Sequence, residues 1–379
     1  MTEQGSNPSS THPPLPPTSE DDRFYRLRLL RSRRVGISTY KRLLIEHGTA
    51  QNALAALPEV ARAAGVQSYA VCPEGVIHAE LKNGRVAGAT LIDDASPLYP
   101  PQLRDLTDAP PFLWVIGDPS LLKRPAISMV GARNASSLGT RMAKSLAAEL
   151  GQAGYVIVSG LARGVDAAAH FAALDTGTIA VQAGGVDIMY PAENTELAAN
   201  IAAKGLRVSE MPMGLQPMAR HFPKRNRIIS GLSQATVIVE AATKSGSLIT
   251  ARDALGQGRD VLAVPGHPFD ARAAGGNMLI RDGATLIRNA ADIIEALAPI
   301  APQQPALPLQ EPKPTKHNLQ EASKLHMQIL SRLGPSPIAE DQLIRDLKTT
   351  PAQVTPILLD LELDGQISRH AGGLLARVI

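Results

Sequence analysis

Cysteine, aromatic rings and long apolar runs are all scarce in this chain. Cys72 is the single cysteine in 379 residues, which excludes an intramolecular disulfide and a cysteine metal site and fits a reducing compartment. No apolar run reaches the ~18 residues a membrane span needs, and the amino-terminal residues lack a secretory signal pattern. A cytoplasmic protein with no membrane partner is the expectation. Phe, Trp and Tyr make up only 3% of the residues, so a base-stacking surface would hold few rings. Acids are missing from two basic stretches. Arg23–Arg42 contains eight Arg or Lys without an Asp or Glu, and Arg220–Arg227 is equally free of acids. The formal net charge is only +3, so the clustering of cations matters more than their sum.

Composition divides the chain. Residues 1–20 are rich in Pro, Ser and Thr, bury too little apolar mass to offset ordering entropy, and are expected to be a disordered tail. Residues 21–85 read as a helical module of the SAM or helix-hairpin-helix kind, broken at Val35-Gly36-Ile37 and His47-Gly48. Its arginines either touch phosphates or form a solvated face. Within 66–110, Pro97, Pro100, Pro101, Pro110 and Pro111 predict an extended connection.

From Phe112 the pattern alternates. Apolar runs at Ala126–Val130, Tyr155–Val158, Thr178–Val181, Leu206–Ser209, Ala235–Glu240 and Val261–Val264 predict strands, with helices between them. Alternation of this kind gives right-handed βαβ units and an α/β domain with a doubly wound parallel sheet, an extended Rossmann domain over 86–298. Residues 299–320, rich in Pro and Gln, read as a linker. Residues 321–379 read as three helices and a β-wing, a winged helix. The helix over Pro351–Asp364 carries Asp360, Glu362 and Asp364 and neither Arg nor Lys, so duplex reading is disfavoured and a protein-contacting or regulatory role is expected.

Residues 219–252 are the centre of the chain. A basic loop precedes a short helix, a buried strand and a second loop, Thr243-Lys244-Ser245-Gly246-Ser247, that opens a helix. Anions bind where strands end and helices begin, because backbone N–H groups and the helix dipole meet there. Several strand-end loops repeat the arrangement: Gly131 with Arg133, Ser159-Gly160 with Arg163, and Gly184-Gly185. The candidate binding residues are Gly131, Arg133, Ser159, Gly160, Arg163, Phe222, Lys224, Arg225, Asn226, Arg227, Lys244, Ser245, Gly246 and Ser247. Phe222 either stacks on a base or packs in the core.

The loops fit no nucleotide fingerprint. Arg133 stands where a dinucleotide site needs glycine, and residues 243–247 are not a P-loop. Asp166 and His170 are spaced i, i+4, as a metal or proton-transfer pair would be. The reading favoured here is Asp166 capping its helix and His170 bonded beneath the loop, since no further ligands accompany them. Glu240 is expected to order Lys244 or loop amides, and Asn226 to satisfy loop backbone. Without a nucleophile, a partnered base, a metal set or a cofactor motif, the inventory suits a charged polymer backbone better than catalysis.

Together, Ile127-Ser128-Met129-Val130-Gly131-Ala132-Arg133, Ser159-Gly160-Leu161-Ala162-Arg163-Gly164-Val165-Asp166 with His170, Tyr190-Pro191, Ser209-Glu210, Phe222-Pro223-Lys224-Arg225-Asn226-Arg227-Ile228-Ile229 and Lys244-Ser245-Gly246-Ser247-Leu248-Ile249-Thr250 resemble the DNA-processing protein A (DprA/Smf) family. The resemblance implies a non-enzymatic, cofactor-free binder of single-stranded DNA. Its members protect incoming strands in natural transformation, load the RecA recombinase, relieve the block by single-strand-binding protein and act as homodimers. It places the binding pocket on Arg133, the Phe222–Arg227 loop and Lys244, with Arg163 as a departure from the usual pattern. Two other readings stay open. A nucleotide hydrolase of the phosphoribohydrolase kind is expected to carry Pro-Gly-Gly-x-Gly-Thr where this chain has Ala241–Ser247, and a transcription regulator would have to use the acidic winged-module helix.

Overall fold

The computed structural model describes residues 19–298 and 319–378. The expected tail and linker lie outside these residues, except for Ser19, Glu20, Leu319 and Gln320, which sit in helices. The chain forms two units, one ending at Pro299 and one beginning at Ile300. Among the described residues no helix is long and apolar enough to cross a membrane.

The first unit opens with four helices, α1 (Ser19–Arg31), α2 (Ile37–His47), α3 (Ala50–Ala63) and α4 (Glu74–Val86). Gly48 ends α2 at φ 75°, and the Thr49 hydroxyl then caps α3 by accepting from Asn52 N at 3.2 Å. Leu29, Tyr40, Leu43, Ala53 and Leu57 form the module's own core. Leu27 and Ile77 belong to a different cluster and join Leu91, Phe112 and Trp114 of the sheet.

One expectation fails in this region and another is narrowed. The stretch 66–110 is not merely extended: it holds α4, the strand β1 (Thr90–Asp93) and the short helix α5 (Pro101–Arg104). Pro73, Pro100 and Pro101 sit at helix starts, where a missing N–H costs nothing. The first half of the arginine cluster is also not a free basic face, whereas Arg33 and Arg34 are exposed. Arg23 pairs with Asp93, Arg26 with Asp94, Arg28 with Glu74 and Arg31 with Glu80, so these cations bind α1 to α4 and β1.

The remaining elements are β2 (Phe112–Gly117), β3 (Ala126–Val130), α6 (Ser137–Gln152), β4 (Val156–Ser159), α7 (Val165–Ala172), β5 (Thr178–Val181), α8 (Thr195–Lys204), β6 (Leu206–Ser209), α9 (His221–Gly231), β7 (Ala235–Ile238), α10 (Ser247–Gly256), β8 (Asp260–Ala263), α11 (Ala274–Arg281), β9 (Thr285–Leu286) and α12 (Ala290–Leu297). The sheet runs β1-β2-β6-β5-β4-β3-β7-β8-β9. From β6 to β9 every pairing is parallel, as Ile127 opposite both Ile157 and Ala235 illustrates. The β1–β2 and β2–β6 pairings are antiparallel, so the expected parallel sheet carries an antiparallel edge. Helices cover both faces. Leu103, Ile228, Ile229, Leu248 and Ala251 pack on one, and Ala143, Leu146, Leu150, Val165 and Ile293 on the other.

The second unit contains α13 (Leu319–Arg332), β10 (Ile338–Ala339), α14 (Glu340–Leu347), α15 (Pro351–Leu363), β11 (Ile367–His370) and β12 (Leu374–Arg377). Its three antiparallel strands, ordered β10-β12-β11, and a core of Ile329, Leu343, Val354, Leu358 and Leu375 make it a winged helix. Arg369 holds the wing to Glu340 and Glu362.

Candidate nucleic-acid interface

The strand order reverses at β3, which has β4 on one side and β7 on the other. Loops leaving these strands diverge and open a crevice at their carboxyl ends, the usual ligand position in open α/β sheets. The crevice has two hollows, of about 360 Å³ and about 730 Å³. Arg133, Ala162, Phe222 and Arg225 line both, so the hollows form one groove with a shared divider.

Residues 221–227 are helical, not the expected loop. They form the start of α9, with Pro223 in the first turn where its ring is tolerated. Helical spacing then sorts the side chains. Phe222 and Arg225, three apart, face the groove, and the Arg225 guanidinium carbon lies 6.0 Å from the Phe222 ring centre. Arg133 reaches over from the β3 loop to 5.4 Å from the same ring, and the Tyr190 ring centre lies 5.7 Å away. The half-buried Phe222 ring is thus an aromatic post in contact range of two cations. The Tyr190 ring has no periodicity that would place it here; only the Tyr190-Pro191 dipeptide hinted at it.

Arg225 is only 5% exposed, yet it forms no ion pair among the described residues. Its Nη1 donates to Val181 O at 2.8 Å, and its Nε is without a partner among the described residues. Burial lowers its pKa to about 10, which the charge of Asp166 partly offsets, so it remains a cation at neutral pH. A buried cation beside an open groove is a strong attractor for an anion, because little water competes for it.

The other candidates divide. Arg133, Lys224 and Lys244 are exposed. Lys244, Ser245, Gly246 and Ser247 line the larger hollow, where the Ser245 and Ser247 hydroxyls are 2.5 Å apart and Asn226 Nδ2 donates to Gly246 O at 3.4 Å. Arg163 is exposed on the smaller hollow, 3.4 Å from Glu193. Ser159 is fully buried and donates its hydroxyl to Met129 O, so that side chain does not reach the groove. Arg227 points away from it, paired with Glu210 at 2.5 Å and Asp108 at 3.2 Å, and is not a free cation. Gly131 and Gly160 line the groove, but packing explains both. A Cβ at Gly131 would strike Val165 at 2.6 Å, and one at Gly160 would strike Arg225 at 1.8 Å.

The acids and the histidine are structural. Asp166 accepts from Gly160 N at 3.1 Å and Ala162 N at 3.3 Å, so it gathers the β4 loop and does not cap α7 as expected. His170 lies beneath that loop. Its Nε2 accepts from Leu161 N at 3.3 Å and its Nδ1 is 2.7 Å from the Thr178 hydroxyl, which itself donates to Ile157 O. The proton therefore sits on Nδ1, and Leu161 is held at φ 57°, an uncommon conformation for leucine. Burial, reinforced by the charge of Arg225, lowers the His170 pKa to about 3. Glu240 fills the amino end of α6 by accepting from Ser136 N at 2.9 Å and the Ser136 hydroxyl at 2.5 Å; it orders loop groups but not Lys244. Among the described residues no group of three His, Cys, Asp or Glu could hold a metal ion.

Comparison with known proteins gives the groove a context. Residues 90–298 match the family model of DNA recombination-mediator protein A, residues 20–83 that of the DprA-like N-terminal HHH domain and residues 312–373 that of the DprA winged helix domain. The DNA processing protein DprA of Bacillus subtilis is 45% identical over 216 residues, covering 56% of this chain and 73% of the relative. The crystal structure of DNA processing protein A from Streptococcus pneumoniae superposes with a TM-score of 0.61 at 32% identity, covering 72% of this chain and 97% of that one. A structure concerned with the single-stranded DNA binding mode of the Helicobacter pylori DNA processing protein A gives a TM-score of 0.51 at 32% identity, covering 55% of this chain and 95% of that one. A fold, a groove and three matching segments in one order have a single explanation: the chain belongs to the DNA processing protein A (DprA/Smf) family.

Proposed function

We propose that this protein binds single-stranded DNA along the strand-end groove and mediates recombination during natural transformation. It protects the incoming strand, loads RecA onto it against single-strand-binding protein, and acts as a cytoplasmic homodimer. The RecA, dimer and compartment parts of this reading rest on family membership. The single-strand part rests on one observation above the rest: Arg133 and the buried Arg225 lie in contact range of the Phe222 ring at the junction of two hollows. Single-strand sites combine a cationic track with a stacking ring in this way. The name of the Helicobacter pylori structure, which speaks of single-stranded DNA binding by that relative, supports the same reading. Bond-breaking chemistry has little to work with, since Asp166, His170 and Glu240 are consumed by loop hydrogen bonds.

The test is Arg133→Ala combined with Lys244→Ala. Affinity for oligo-dT should fall by more than tenfold, and the slope of log affinity against log salt should flatten by about 0.7 for each phosphate no longer neutralised. A double variant that binds as the parent does would reject the groove, and release of base or phosphate from nucleotides would replace binding with hydrolysis.

A further inference from the structure

Among the described residues the most exposed large apolar side chain is Phe269, at 95%. It stands on the loop between β8 and α11, and that loop is well fastened. Asn277 pins its start, accepting from Gly266 N at 3.1 Å and donating to Gly266 O at 2.9 Å. Phe269 N donates to His267 Nδ1 at 3.3 Å, and the two rings lie 5.6 Å apart. Asp270 accepts from Arg272 N at 2.9 Å and pairs with its guanidinium at 3.1 Å. On this pinned turn the ring touches His267 but contributes almost nothing to the core.

The loop borders the groove. Gly275 N donates to Ala241 O at 2.7 Å, which joins its far end to the end of β7. Arg272, three residues beyond Phe269, lines the larger hollow together with Lys244. We propose that Phe269 is a second stacking station for single-stranded DNA, taking a base of the strand after it has left the groove past Lys244. A base is favoured over a protein partner by charge and by place. Asp270 and Arg272 offset each other, so the loop adds a ring without adding charge, and Arg272 carries the loop to the hollow that Lys244 lines. This inference rests on the groove being a single-strand site.

The station makes a specific demand on length and salt. It requires that a strand of about four nucleotides stay within the groove and that one of about sixteen extend to the loop. Phe269→Ala in the full chain should leave the short oligo-dT unaffected and weaken the long one on the order of 5- to 100-fold. The salt slope should stay that of the parent, because a ring releases no counterions. Phe269→Trp should keep the long-strand affinity, and long oligo-dT should quench its emission. The natural tryptophan, Trp114, is 2% exposed and supplies a steady background. Parental affinity of Phe269→Ala for the long oligo-dT overturns the station, as does a change in sedimenting mass with affinity intact, which would make the ring a contact with another protein copy. Those outcomes leave the groove standing. The groove itself fails if Arg133→Ala with Lys244→Ala binds the short strand as the parent does.

Discussion

The Arg225 guanidinium lies so close over Gly160 that a Cβ built on the glycine would sit 1.8 Å from Nη1. The glycine after β4 is therefore required by a protein cation and not by a phosphate. Gly160→Ala must push Arg225 off Val181 O and into the groove, or distort the loop that Asp166 gathers. Overpacking of this kind costs about 1–3 kcal/mol. Affinity for oligo-dT should drop about tenfold or more while the fold persists. Thermal melting followed by circular dichroism separates the two effects, and parental affinity in the Gly160→Ala protein would show that the position of Arg225 is immaterial to binding.

His170 makes stability depend on pH. In the folded protein it titrates near 3, and an unfolded histidine near 6.5. Between those values the unfolded chain binds the extra proton, so stability is retained at neutral pH and falls as pH falls. At pH 5 this single group should remove about 2 kcal/mol relative to pH 7. Urea denaturation at the two pH values, on the parent and on His170→Gln, isolates it. The variant should be less stable at pH 7, through loss of the Leu161 and Thr178 bonds, and show a smaller drop on acidification. Equal pH dependence in both proteins would show that the ring is solvated.

Periodicity and glycine placement were enough to locate the strand ends, and so the crevice. What they missed depends on long-range partners. Arg227 looks like Arg225 in the run Lys224-Arg225-Asn226-Arg227, yet helical geometry turns it toward Glu210 and Asp108. The Arg23–Arg31 cluster looks free because its carboxylates, Glu74, Glu80, Asp93 and Asp94, lie more than 40 residues further on. Within the run 66–110, β1 escapes notice because its apolar residues number only two, Leu91 and Ile92.

Arg227 should behave as a structural residue. Its removal leaves Glu210, whose side chain is only 14% exposed, without its ion-pair partner, which costs up to about 3 kcal/mol. Burial already raises the Glu210 pKa against the opposing pull of Arg227, and losing the arginine raises it further. Protonation then relieves the strain. The Arg227→Ala deficit should be largest at pH 7 and narrow as pH falls toward the ordinary carboxylate range near 4.5. Once folded, the variant should keep the parent's salt slope for oligo-dT. A flattened slope would place Arg227 on the phosphates instead.

Arg31 tests the same logic in the helical module. The Glu80 carboxylate is 5% exposed and accepts from Arg31 Nε at 3.0 Å, Arg31 Nη2 at 2.8 Å and Trp114 Nε1 at 2.8 Å. Arg31→Ala leaves that charge with one neutral donor and no counter-ion, a loss of about 3–5 kcal/mol. Adding Glu80→Gln removes the orphaned charge while keeping an oxygen for the indole N–H, so the double variant should recover most of the loss. Duplex DNA affinity should be unchanged by either, because the ion pair already spends the cation. If Arg31→Ala instead leaves the melting temperature intact and weakens duplex binding, the cluster is a DNA surface and its ion pairs contribute little to holding the module on the sheet.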